Sequence, residues 1–144
     1  MDIEVREPRT PKDLDLYYDL RWRVLREPWT KARESGRDEH EREAIHLTAW
    51  LGSRLVGVGR VHFNSPEQAQ IRYMAVEPDC SGQGIGSLIL RGLEERAAQR
   101  GAKTVVLNAR DKALNFYRKH GYRLLDQSGT LFNSIVHWAM EKEL

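Results

Sequence analysis

The chain has 144 residues, 40% of them hydrophobic and 31% charged, with a formal net charge of +2. This composition supplies one core for a single domain over residues 1–144, and its interspersed charges give neither a nucleic-acid field nor a long apolar run for a membrane span. The single cysteine, Cys80, excludes an internal disulfide and a Cys-x-x-Cys metal cluster; with Met1-Asp2-Ile3-Glu4 lacking a basic-then-apolar leader, the expectation is a cytoplasmic protein without metal, nucleic-acid or membrane partners.

Ile3 and Val5 alternate with charged neighbours, which predicts a short first strand. Thr10 then offers a helix cap, Pro11 fits the first helical position, and Leu14, Tyr17, Leu20 and Val24 recur at helical spacing up to a stop before Pro28. Residues 30–43 are almost all polar, with Gly36 among them, and read as a mobile, solvent-facing loop with room for a short helix. Three β-like runs over 45–51, 55–63 and 70–76 are separated by Gly52-Ser53 and Asn64-Ser65-Pro66, and the tight connections predict an antiparallel meander. Ile85, Leu88, Ile89, Leu93 and Ala97 mark the buried face of a second helix that Gly101 ends. A strand over 105–108, a helix with Asp111 as its N-cap and Gly121 as its stop, and strands over 122–125 and 135–140 complete the order β-α-β-β-β-α-β-α-β-β. Such an order makes an α/β mixed sheet with a parallel pair around the second helix.

Between the strand ending at Val76 and that helix stands Ser81-Gly82-Gln83-Gly84-Ile85-Gly86. Alternate glycines let the backbone turn its N–H groups toward one point, and the helix start behind them adds the positive end of its dipole, so the loop reads as an anion cradle. No Lys-Ser or Lys-Thr follows, as NTPase chemistry needs, and the spacing is not the G-x-G-x-x-G of dinucleotide folds.

Strand, Gly-x-Gly-x-Gly loop, helix, the strand Thr104-Val105-Val106-Leu107-Asn108 and a helix carrying Ala113-Leu114-Asn115-Phe116-Tyr117-Arg118-Lys119-His120-Gly121-Tyr122 together resemble the GNAT superfamily of N-acetyltransferases. Gly84 and Gly86 fill the two small positions of its phosphate motif, while Ser81 departs from the Arg or Gln usual at the first. Arg23-Val24-Leu25-Arg26-Glu27, the acidic 38–43 segment ahead of His46, and His137-Trp138-Ala139-Met140 are similar to the ElaA-like branch. The resemblance implies a mixed, mainly antiparallel central sheet with flanking helices and a splayed parallel strand pair at the cofactor site. It implies acetyl-CoA as cosubstrate, its pantetheine arm paired with the backbone of Met74, Ala75 and Val76. Its diphosphate would lie on Ser81, Gly82, Gln83, Gly84, Ile85, Gly86 and Ser87, with Asn108 and Asn115 approaching the CoA moiety. Tyr117 stands where the family's tyrosine protonates the departing thiolate. The activity implied is transfer of an acetyl group to a primary amine, small molecule or peptide, by direct attack in a ternary complex, and a homodimer is allowed.

The amine must lose a proton before attack, and Glu39, Glu43, His46, His62, Glu77 and His137 are all candidates for the general base. Arg72 is an odd residue for a central strand and reads as an anion contact or as a salt-bridge partner. Tyr17, Tyr18, Trp22 and Trp29 read as walls of the acceptor pocket or as core. Asp38, Glu39, Glu41 and Glu43 would attract a cationic amine. Two other classes stay open: a noncatalytic CoA-binding sensor or interaction module on the same fold, and a nucleotide-binding protein using the loop as a generic anion site.

Overall fold

Apolar and charged residues alternate over Ile3–Arg6 to make an edge strand, β1, and the Thr10 Oγ1 accepts the Asp13 N–H at 3.0 Å to open helix α1, Pro11–Leu25, with Pro11 in its first turn. The computed structural model describes residues 2–26, 28, 37–131 and 135–144. After α1 come β2 (Ile45–Leu51), β3 (Arg54–Ser65) and β4 (Gln68–Val76), then a 3-10 turn over Pro78–Cys80 and helix α2 (Ile85–Gln99). Strand β5 (Thr104–Arg110) is followed by a second 3-10 turn, Asp111–Ala113, helix α3 (Leu114–Lys119), and strands β6 (Arg123–Leu131) and β7 (Ile135–Glu143).

The strands form one seven-stranded sheet in the order β1-β2-β3-β4-β5-β7-β6, and β4 with β5 is its parallel pair. The expected meander is there, β1 to β4 pairing antiparallel in succession. Two apolar clusters lie on the two faces. Ile85, Ile89, Leu90, Leu93 and Ala97 of α2 join Leu47, Val56, Val61, Ile71, Val105 and Leu107 on one face; Tyr17 and Leu20 of α1 join Trp50, Leu55, Val58 and Ala75 on the other. Among the described residues no helix is long and apolar enough to cross a membrane.

Three expectations need correction. Leu88 is 38% exposed while Leu90 is fully buried, because α2 lies on a broad sheet and buries a wider stripe than one i, i+3, i+4 row. Asp111 does not cap a helix: it opens the 3-10 turn, and its carboxylate accepts the Trp138 indole N–H at 2.8 Å instead. The polar segment before β2 is solvent-facing only in part: Arg37, Glu39, Arg42 and Glu43 are exposed, but Asp38 and Glu41 are drawn onto the sheet by Arg21 and Arg60; residues 30–36 lie outside the described residues. Gly101 and Gly121 do end their helices in the left-handed conformation, with φ of 100° and 91°.

Helix α2 approaches β3 closely at Gly59, where an added Cβ would lie 2.6 Å from Ile89 Cγ2 and 3.0 Å from Leu93 Cδ1. A side chain there must push the helix off the sheet. Gly59→Ala is expected to lower stability by about 1–3 kcal/mol, a fall in Tm of roughly 3–10 °C by thermal denaturation. An unchanged Tm would show that α2 shifts without loss.

Candidate functional site

Strand β4 changes face in mid-course. Val58 of β3 stands opposite Ala75, but Arg60 stands opposite Arg72, so Tyr73 and Met74 together face Gly59 in a β-bulge. Tyr73 has a φ of 61°, alone in the left-handed region among the described non-glycine residues, a conformation that costs about 1–2 kcal/mol. Its ring is nonetheless 6% exposed and held by cations: the guanidinium carbon of Arg21 lies 3.8 Å from the ring centroid, that of Arg72 4.6 Å and that of Arg60 5.0 Å. The extra residue inverts the alternation, so Ala69 and Ile71 pack with the α2 cluster whereas Ala75 packs with the α1 cluster.

The bend also ends the parallel pairing. Ladder partners run from Gln68↔Thr104 to Ile71↔Leu107, and among the described residues none of 72–76 has a partner on β5. A cleft of about 860 Å³ opens where the strands part, lined by both strands, the end of α1, the 3-10 turn before α3 and Tyr117. On the β4 wall, backbone groups that a neighbouring strand would satisfy face this space.

Met74, Ala75, Val76, Ser81, Asn108 and Tyr117 line the cleft, and residues 82–87 do not. The loop continues from Ser81 through Gly82 and Gly84, with φ of 78° and 82°, into the first turn of α2. Gly84 is the N-cap and offers no side chain to the first helical N–H groups, so those of Ile85, Gly86 and Ser87 are left for a ligand. Gln83 is exposed beside them, whereas Ile85 is 1% exposed and has only its backbone to offer. Gly86 is needed for packing: a Cβ would sit 3.3 Å from the Phe116 ring. Asn115 is exposed on α3 and does not line the cleft.

Tyr117 projects from α3 into the cleft's inner wall, 9% exposed, with its hydroxyl 3.6 Å from Met74 Sδ. Burial pushes its pKa up to about 12, so the phenol keeps its proton throughout the neutral range. It is therefore a proton donor placed against the β4 bulge.

Of the six candidate bases, His137 alone lines the cleft. Glu39 and Glu43 are 81% and 67% exposed on the surface, beside His40. Glu77 is paired with Arg23 at 3.2 Å. His46 donates from Nε2 to the Glu41 carbonyl at 2.7 Å, which leaves Nδ1 to accept the Tyr17 hydroxyl, also at 2.7 Å. His62 stacks on His40 with ring centroids 3.9 Å apart and touches Arg60 at 2.8 Å. Burial lowers the pKa values of His46 and His62, and the nearby Arg60 charge lowers that of His62 further. Tyr17, fully buried, is core, and neither Tyr18 nor Trp22 lines the cleft; Trp29 lies outside the described residues.

Within the acidic segment Asp38 and Glu41 are engaged by arginines, while Glu39 and Glu43 stay exposed beside His40. Glu41 accepts Arg21 through two bonds of 2.9 Å and Arg60 at 2.8 Å, while Asp38 is bound by Arg60 and, at 2.8 Å, by Arg72. Burial alone would raise the Asp38 pKa, but the Arg60 hydrogen bonds, the His40 N–H and the Arg72 charge hold it well below the usual carboxylate range. Arg72 is thus a salt-bridge partner that also lines the cleft.

Sequence reasoning missed Arg26, Arg110 and Lys112, which line the cleft too. Arg110 was legible by the two-residue period of a strand, since it shares a face of β5 with Asn108. Arg26, in the turn that closes α1, carries no local signal, and neither does the bulge at Tyr73.

Known proteins place this geometry. The uncharacterized N-acetyltransferase YjcF of Bacillus subtilis is 35% identical over 106 residues, 74% of this chain and 75% of that one. The crystal structure of Escherichia coli ElaA superposes with a TM-score of 0.82 at 18% identity, covering 99% of both chains. PaiA N-acetyltransferase from Thermoplasma acidophilum, solved in complex with coenzyme A, superposes with a TM-score of 0.78 at 19% identity and covers 100% of both. The Acetyltransferase (GNAT) family matches residues 14–122, a span that takes in most of α1, the bulged β4, the glycine loop and Tyr117, and this chain belongs to that family.

Proposed function

We propose that the protein moves an acetyl group from acetyl-CoA to a primary amine, the amine attacking directly while both substrates are bound. The observation that carries this reading is the parting of β4 from β5 beyond Ile71, which opens a cleft that Ser81, at the head of the glycine loop, and Tyr117 both line. The PaiA structure holding coenzyme A has the same fold. Acetyl-CoA, when bound, supplies a thioester already activated toward nitrogen nucleophiles.

The chain's own residues would do the rest. The N–H groups of Ile85, Gly86 and Ser87 hold a diphosphate at the α2 N-terminus, where the helix dipole adds to them. The unpaired edge of Met74, Ala75 and Val76 satisfies the amides of an extended arm and offers N–H groups to a developing oxyanion. Asn108 adds a side-chain amide on the β5 wall. Tyr117 gives its proton to the leaving sulfur; its raised pKa makes full transfer uphill before charge develops there, so the proton is shared as the bond breaks. His137, in the cleft and opposite Arg110 across β5 and β7, is the group best placed to pass the amine's proton to solvent.

Two variants test the reading. Gly84→Glu puts a carboxylate where N–H groups converge and strains a backbone at φ 82°, and CoA affinity by calorimetry is expected to fall at least about tenfold with the protein still folded. Wild-type affinity in that variant would remove the cradle assignment. Tyr117→Phe is expected to lower kcat at least about tenfold, within the ~10²–10⁴ range of a general acid, while CoA affinity and Tm stay near wild type. An unchanged rate, measured where chemistry limits turnover, would reject Tyr117 as the acid. CoA binding without transfer to any amine would favour a noncatalytic binding module instead.

A further inference from the structure

The described residues that line the cleft include Arg26, Arg72, Arg110 and Lys112 but no Asp or Glu. Three of these cations gather on the side of the sheet that α1 covers. Arg110 donates from Nη2 to the Leu25 carbonyl at 3.3 Å, at the end of α1. Arg26 is the next residue, 5% exposed, with its guanidinium carbon 5.7 Å from the Tyr73 ring centroid. Arg72 stands 4.6 Å from the same ring, its Nη1 on Asp38. The glycine loop follows the other end of the bulged segment, beyond Val76, and none of residues 82–87 lines the cleft with these cations.

Arg110 is the informative member. It is half-buried, and among the described residues no carboxylate lies within ion-pair distance of it. Burial lowers its pKa, and burial together with the like charges of Arg72 and Arg110 lowers that of Arg26. Arg72 has Asp38, but a half-buried Arg110 guanidinium on the same wall is unfavourable until an anion joins it, and the planar fork of arginine suits a carboxylate or phosphate. A dicationic or polycationic amine would meet repulsion from the same wall.

Resting on the transfer reading above, we infer that the acceptor is an amine carrying its own acidic group, held by Arg110 and Arg72 so that the nitrogen points back toward Tyr117. A carboxylate and a phosphate share the recognition chemistry. In either case the acetylated product keeps the anionic handle and loses the ammonium charge.

Initial rates with matched primary amines decide this at saturating acetyl-CoA: a neutral α-amino acid, its amide, O-phosphoethanolamine, ethanolamine and a diamine. The wild type is expected to favour one acidic acceptor over its neutral analogue by at least about tenfold in kcat/KM, with the difference shrinking as salt rises. The amino acid leading its amide identifies a carboxylate; phosphoethanolamine leading ethanolamine identifies a phosphate. Arg110→Gln should shrink the preference at least about fivefold through KM, and Arg110→Lys should restore part of it. Preference for the amide, ethanolamine or the diamine overturns the inference and leaves the acetyltransferase standing, whereas failure of every amine while CoA still binds overturns both. A preference untouched by Arg110→Gln rejects the arginine site. If that variant does not fold, the wild-type ratio and its salt dependence still decide.

Discussion

The one-residue slip in β4 is the constraint on which the rest of the site depends. Side chains on a strand alternate strictly, so Tyr73 and Met74 facing Gly59 together must invert the faces of everything downstream. Met74 and Val76 consequently pack toward the α2 cluster, beside Tyr117, while Ala75 turns to α1. The same slip bends β4 away from β5 after Ile71, and the space that opens is the cleft. A regular β4 would have continued its ladder to Met74, opposite Arg110 at the end of β5, and closed it.

A left-handed tyrosine in mid-strand needs compensation, and the protein supplies it with charge. Arg21 and Arg60, among the largest fully buried side chains, bracket the Tyr73 ring and are themselves held by Glu41 and Asp38. Buried guanidinium groups are tolerable only when paired and hydrogen-bonded. The acidic segment is thus a clamp: it fixes the end of α1 and the bulged strand together, and so sets the wall against which an acceptor would sit. Removing one carboxylate would leave a charge stranded in the core.

The cleft that results is polarised. Past Ser81, which lines one end, helix α2 begins with an unfilled set of N–H groups behind glycines that accept positive φ. At the other, Arg26, Arg72 and Arg110 face a lining without carboxylates among the described residues. Between them stands a buried, protonated phenol. Such a layout suits two ligands that each carry negative charge at the far end from the reacting atoms.

Local features of the chain determined the elements. Thr10 with Pro11, the alternation through β2 to β4, the glycines of 82–86 and the stops at Gly101 and Gly121 each act within a few residues, through dihedral preference or hydrogen bonds close in sequence. The glycine loop and Tyr117 were legible for that reason. Only the tertiary structure decided the bulge, because no local propensity places a tyrosine in the left-handed region; it follows from the register of β3 against β4 and from arginines distant in sequence. It also decided that Asp38 and Glu41 are neutralised, since their partners Arg60 and Arg21 lie about 20 residues away and meet them across α1 and the sheet. Of six plausible bases His137 reached the cleft, and so did Arg26 and Arg110, which no motif had placed in the site. Charge in a sequence gives only the inventory; whether a carboxylate is free or engaged depends on which long-range partners the packing brings within hydrogen-bonding distance.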